Sequence, residues 1–102
     1  QVTETAPSDD ATLSALSIGS LALSPAFASS TVTYTAETTN ATNTVTAVPS
    51  DAGAEIEVLV NNRKIDNGSA ATWQTGSNTV KVNVTAADGT AKKTYTVTVT
   101  KS

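Results

Sequence analysis

Trp73 is the only tryptophan in the chain and the best single candidate for a platform that stacks on a sugar ring. Arg63 and Asn62 complete the set of candidate ligand-binding residues. The competing role for Trp73 is packing in the core or at a sheet edge, because a buried indole covers a large apolar area. Carbohydrate sites commonly use several aromatics, whereas the patterns around Phe27, Tyr34 and Tyr95 turn those rings inward. Glu55 and Glu57 stand two apart. A carboxylate pair for glycoside hydrolysis needs an enclosing cleft and a defined separation, and two Glu on the solvent side of a strand supply neither. Asp9, Asp10, Asp51, Asp66 and Asp88 are loop or turn aspartates outside any EF-hand spacing, and at Asp51, Asp66 and Asp88 the expected work of the carboxylate is to serve the local backbone.

The absence of Cys and His removes the usual ligands of zinc, copper and iron–sulfur sites and the usual base of nucleophilic triads. No nucleophile, base and orienting group can be assembled from the residues present, so no catalytic residue, metal or cofactor is expected and the chain reads as a non-enzyme. Six basic residues against nine acidic ones give a net charge of −3, and the basic ones cluster only as Arg63-Lys64 and Lys92-Lys93. Nucleic acid, which needs clustered positive charge, is not an expected partner. The longest bulky apolar run, Val58-Leu59-Val60, falls far short of a membrane span.

The elements that must carry these residues are strands. The 102 residues suffice for one domain and include 20 Thr and 11 Val, both strand-favouring. From Thr79, Val80, Val82, Val84 and Ala86 alternate with Lys81, Asn83 and Thr85. After the turn signal Asp88-Gly89, Tyr95, Val97 and Val99 alternate with Thr94, Thr96, Thr98 and Thr100. That pattern predicts a hairpin with a tight turn. Weaker alternation predicts strands at 13–18, 31–36, 44–48 and 55–60, a short piece at 63–65 pairing back after Asn61-Asn62, and another at 71–74. Seven or so short strands at turn intervals predict an all-β fold, an antiparallel two-sheet β-sandwich, with a barrel as the alternative. The predicted core draws on Leu13, Leu16, Ile18, Leu23, Phe27, Val32, Tyr34, Val45, Ile56, Val58, Val60, Ile65, Val80, Val82, Val84, Tyr95, Val97 and Val99. Residues 1–10 read as a flexible linker and 11–102 as the domain.

Several local patterns fall in an order that resembles the bacterial cadherin-like β-sandwich domain. They are Leu13-Ser14-Ala15-Leu16-Ser17-Ile18, then Leu23-Ser24-Pro25-Ala26-Phe27 and Thr33-Tyr34-Thr35. The centre is Val45-Thr46-Ala47-Val48-Pro49-Ser50-Asp51-Ala52-Gly53-Ala54 with the Val60-Asn61-Asn62 turn. The end is Gly76-Ser77-Asn78-Thr79-Val80 followed by the closing hairpin through Val99. The resemblance implies an immunoglobulin-like module with no shared catalytic residues. It further implies a bacterial extracellular or cell-surface location in a multi-domain protein, with neighbouring domains as the first partners. Calcium dependence is not implied, because the acidic motifs of true cadherins are missing.

The expected function is therefore a non-catalytic structural spacer or presentation module, monomeric as an isolated domain. The alternative is an accessory module binding polysaccharide or a surface protein, or a decoration domain of a phage particle. The sequons Asn40-Ala41-Thr42, Asn67-Gly68-Ser69 and Asn83-Val84-Thr85 are expected to stay unmodified in a bacterial protein.

Overall fold

The structure, a computed structural model, describes residues 9–24, 26–28 and 30–102. Of the expected linker, residues 1–8 lie outside the described residues. Among the described residues eight strands run in chain order: β1 (Leu13–Ile18), β2 (Thr33–Thr38), β3 (Thr42–Pro49), β4 (Glu55–Val60), β5 (Arg63–Ile65), β6 (Ala70–Thr72), β7 (Gly76–Thr85) and β8 (Lys92–Lys101). They form a three-stranded sheet, β1-β3-β6, and a five-stranded sheet, β2-β8-β7-β4-β5. Eight strands replace the expected seven or so because both short pieces, β5 and β6, form ladders.

The architecture is the predicted sandwich, with one correction to its antiparallel character. β2 runs parallel to β8, from Thr33↔Thr96 to Thr38↔Lys101, while every other named pair is antiparallel. The cause is connectivity. β1 and β2 lie in different sheets, so the segment between them crosses from one layer to the other and delivers β2 beside the last strand, pointing the same way. Parallel neighbours require such a long crossover, whereas a hairpin connection always reverses the chain.

Side-chain alternation decides what is buried. Val80, Val82 and Val84 of β7 and Tyr95, Val97 and Val99 of β8 are fully buried, and Leu13, Ile18, Tyr34 and Val45 close the core from the other strands. Leu23, Phe27, Ile56 and Ile65 of the predicted core are only partly buried against it. Val32 is a correction. It is 37% exposed, because it precedes β2 and strand parity no longer governs its direction. The core also takes in Ala86, on the face its alternation with Val80, Val82 and Val84 indicated, and Ala11, Ala36, Ala47 and Ala71, which pattern reading passed over because alanine signals neither strand nor core strongly.

Phe27 lies against both buried tyrosines, with ring centroids 5.9 Å from Tyr34 and 6.3 Å from Tyr95. Each tyrosine hydroxyl is anchored. Tyr34 donates to the Ala28 carbonyl (2.7 Å) and accepts from the Ala28 N–H (3.0 Å), while Tyr95 accepts from the Leu13 N–H (3.1 Å). The two rings therefore fill the core and also pin chain segments that lie outside their own strands.

Turn chemistry follows the sequence closely. Asn61 (φ 51°) and Asn62 (φ 67°) both adopt the left-handed conformation of a two-residue type I′ hairpin, which Asn tolerates better than other side-chain-bearing residues. Between β7 and β8 the connection is longer than the tight turn predicted. Ala86 donates to Ala91, Gly89 (φ 74°) takes the left-handed position, and the Asp88 carboxylate accepts from the N–H groups of Thr90 (2.8 Å) and Ala91 (3.0 Å).

Candidate functional site

An open cleft of about 470 Å³ lies between the edges of the two sheets. β5 ends the five-stranded sheet and β6 the three-stranded one, and both have only three residues, so the layers part along this side. Asn61, Arg63 and Ile65 form one wall, and Thr72, Trp73 and Gln74 form the other. Arg63 pairs with Val60 in the β4–β5 register and so shares its inward face, yet it is exposed because nothing closes the layer beyond β5.

Of the three ligand-binding candidates, the fold brings Trp73 and Arg63 to one cleft and leaves Asn62 outside its lining. Asn62 is an exposed turn residue whose backbone conformation accounts for its presence. Trp73 is only 5% exposed. Its N–H donates to the Asn43 side-chain oxygen at 2.8 Å, and its backbone N–H donates to Ala41 at 2.9 Å. The indole thus offers the cleft little exposed surface. An aromatic platform exposed beside Arg63 is not what the geometry provides; the cleft instead pairs an exposed Arg63 on one wall with a buried Trp73 on the other.

Next to Trp73 along the chain, the Gln74 backbone joins a polar network that sequence reading missed. Asn78 is fully buried inside the strand-rich core. Its side-chain oxygen accepts from the Gln74 N–H and the Asn61 side-chain amide, both at 2.9 Å. Its own amide donates to the carbonyls of Gln74 (2.9 Å), Gly76 (3.1 Å) and Val99 (3.2 Å). Asn61 in turn accepts from the Thr79 N–H at 2.9 Å. One carboxamide therefore ties the β4–β5 turn, the segment after β6 and the end of β8 together. A signal was available: Asn78 has the same parity as Val80, Val82 and Val84, and an asparagine at an inward strand position requires dedicated partners. Asn43, on the parity of Val45 and Ala47, carries the same signal.

A smaller depression of about 250 Å³ lies along Glu55, Ile56, Glu57, Lys64, Asn83 and Thr85. Glu55 and Glu57 are exposed, and Glu57 accepts from the Asn83 side chain at 3.1 Å across the β4–β7 ladder. No cleft encloses the pair, and among the described residues no three acidic side chains converge on a metal-sized site. Asp10 accepts from both the N–H (2.9 Å) and the hydroxyl of Thr12, and these bonds, with the nearby Lys93 charge, hold its carboxyl below the usual range. Asp88 is likewise lowered by its bonds from Thr90 and Ala91. At Asp51 and Asp66 the turn bonds fall on the backbone carbonyls, from Ala54 and from Ser69 respectively.

The two packed sheets, with their buried polar ties, make an immunoglobulin-like β-sandwich module. Residues 12–102 match the family described as a cadherin-like beta sandwich domain, and the chain belongs to that family. No curated protein matches it significantly.

Proposed function

We propose that this domain is a non-catalytic structural spacer or presentation module of a bacterial extracellular or cell-surface multi-domain protein. The observation that carries the reading is where the chain enters and leaves the fold. β1 starts beside Tyr95, near the beginning of β8, since the Leu13 N–H reaches the Tyr95 hydroxyl. β8 ends beside Gly76 at the opposite end of the sandwich. From the rise per strand residue and the thickness of two packed sheets, the two points lie about 25 Å apart. Neighbours joined at such points would be arranged end to end, as a spacer requires.

The test uses spin labels on cysteines introduced at Ser14 and Ser102, both exposed, in a chain with no native cysteine. One narrow distance distribution near 25 Å, plus the reach of the labels, is expected. A broad distribution, or one centred on close approach, would remove the spacer geometry.

The second reading is an accessory module that binds polysaccharide or a protein partner, and the observation favouring it is the shared cleft of Arg63 and Trp73. Retention on immobilised polysaccharides that is lost in Arg63→Ala, with the thermal melt unchanged, would place this reading first.

A further inference from the structure

We propose that the domain is a tension-bearing clamp in which load applied through its two ends falls in shear on the β2–β8 ladder. This rests on the spacer reading, since only a module linked at opposite ends is stretched along its strands. β8 is the strand through which the chain leaves, and it is held on both sides. β7 meets it over ten registered pairs and β2 over six. The β2–β8 ladder begins with the bond from Thr96 N–H to the Val32 carbonyl (2.7 Å) and closes with that from Ser102 N–H to the Thr38 carbonyl (3.0 Å).

The parallel direction of this pair is what matters. Because β2 and β8 point the same way, tension on the start of β2 and on the end of β8 pulls them along each other in opposite senses. Every rung is then loaded together, and no rung can yield until its neighbours do. An antiparallel pair held at the same end behaves differently, since its rungs open one after another.

The strand order also sets a sequence of events. β1 lies at the edge of its sheet, is paired only with β3, and carries a register shift between Leu13 and Ala15. It is the first element to give way. Load then passes to Ser24 and Ala28, which are fastened to β2 by the reciprocal bonds between Ser24 and Thr35 (2.8 and 2.9 Å) and by the Tyr34 hydroxyl on Ala28. Beyond them the force reaches β2 itself.

Single-molecule pulling tests this on one domain with two pairs of handles. Cysteines at Asp9 and Ser102 stretch it end to end, whereas cysteines at Thr75 and Ser102 pull on the same end, where Gly76 faces Lys101, and peel β7 from β8. All three positions are exposed, and Gln74→Cys supplies the peeling geometry if Thr75→Cys alters the Trp73 emission. At equal loading rate the end-to-end rupture force is expected to be at least about threefold the peeling force, because rungs that break together resist more than rungs that break singly. Equal forces would overturn the clamp while leaving the spin-label distance, and with it the spacer reading, intact. A short spin-label distance with unequal forces would instead remove the spacer and keep the mechanical asymmetry.

Discussion

Asn78 has all its hydrogen-bonding capacity committed inside the core, so truncating it strands donors and acceptors on three separate segments. Asn78→Ala is expected to cost about 2 to 4 kcal/mol by chemical denaturation, more than an exposed polar substitution. Trp73→Ala should cost about 3 to 5 kcal/mol, and the native emission should be blue-shifted and poorly quenched by iodide, since the ring is buried and its N–H is satisfied by Asn43. Asp10 and Asp88 give the acid behaviour its sign. Both carboxyls are lowered in the fold, so their contribution is present above the ordinary Asp range and is lost as pH falls through the lowered folded values. The melting temperature should hold level from neutral pH down to about pH 5 and decline below about pH 4. The double variant Asp10→Asn, Asp88→Asn should show a shallower decline. An equally steep one would place the acid sensitivity elsewhere.

At the level of elements, the edge beside β6 is extended by a side chain. Val45 exchanges backbone bonds with Ser69 and Gly68, and one step further the Asn67 carboxamide accepts from the Ala47 N–H (2.8 Å) and donates to the Ala47 carbonyl (2.7 Å). Asn67 thereby stands in for a residue of backbone at the end of a three-residue strand. Its amide is engaged in this pairing, so a glycan on the Asn67 sequon would break the bond to Ala47. Asn67→Ala should raise amide exchange at Ala47 by about tenfold, the equivalent of one or two lost bonds, while exchange at Val97 stays unchanged. Gly19 lies against the start of β3, where its N–H donates to the Thr44 carbonyl. It has φ of 56°, and a Cβ there would come within 2.6 Å of the Asn43 amide nitrogen, so Gly19→Ala both strains the backbone and displaces the partner of Trp73. The strands around these devices were legible because alternation is a local property: β1, β4 and β5 match their predicted bounds. Neither Asn67 nor Gly19 was legible, since each acts on a residue more than nineteen positions away in the chain.

For the whole molecule, folding should be independent of divalent metal. Melts in chelator and in millimolar calcium should coincide, because an ion that bound only the native state would raise the midpoint by mass action. The outer faces carry mainly Thr, Lys, Asn and Glu, with Val48 (44% exposed) and Val32 as scattered large apolar side chains. The two shortest edges, β5 and β6, offer few unpaired backbone groups, and β2 is partly covered by Ser24. A monomer mass by light scattering at about 100 µM is expected, and a dimer that persists on dilution would point to pairing at the β1 edge.

Strand parity, turn residues and the predominance of Val and Thr determined by themselves that this chain builds an all-β fold of short strands, because each depends on neighbours within a few positions, and the division of those strands into two sheets in place of the alternative barrel was settled by the tertiary structure. The parallel seating of β2 on β8 was beyond that reach. It follows from which sheet β2 joins after the crossover, a choice made by packing against strands more than sixty residues away. The same holds for the cleft and for Asn78. Arg63 and Trp73 meet only because two short edge strands leave the layers parted, and an asparagine becomes the centre of the polar core only when three distant segments close around it. Local sequence sets which face a side chain takes; only the assembled layers set what that face meets.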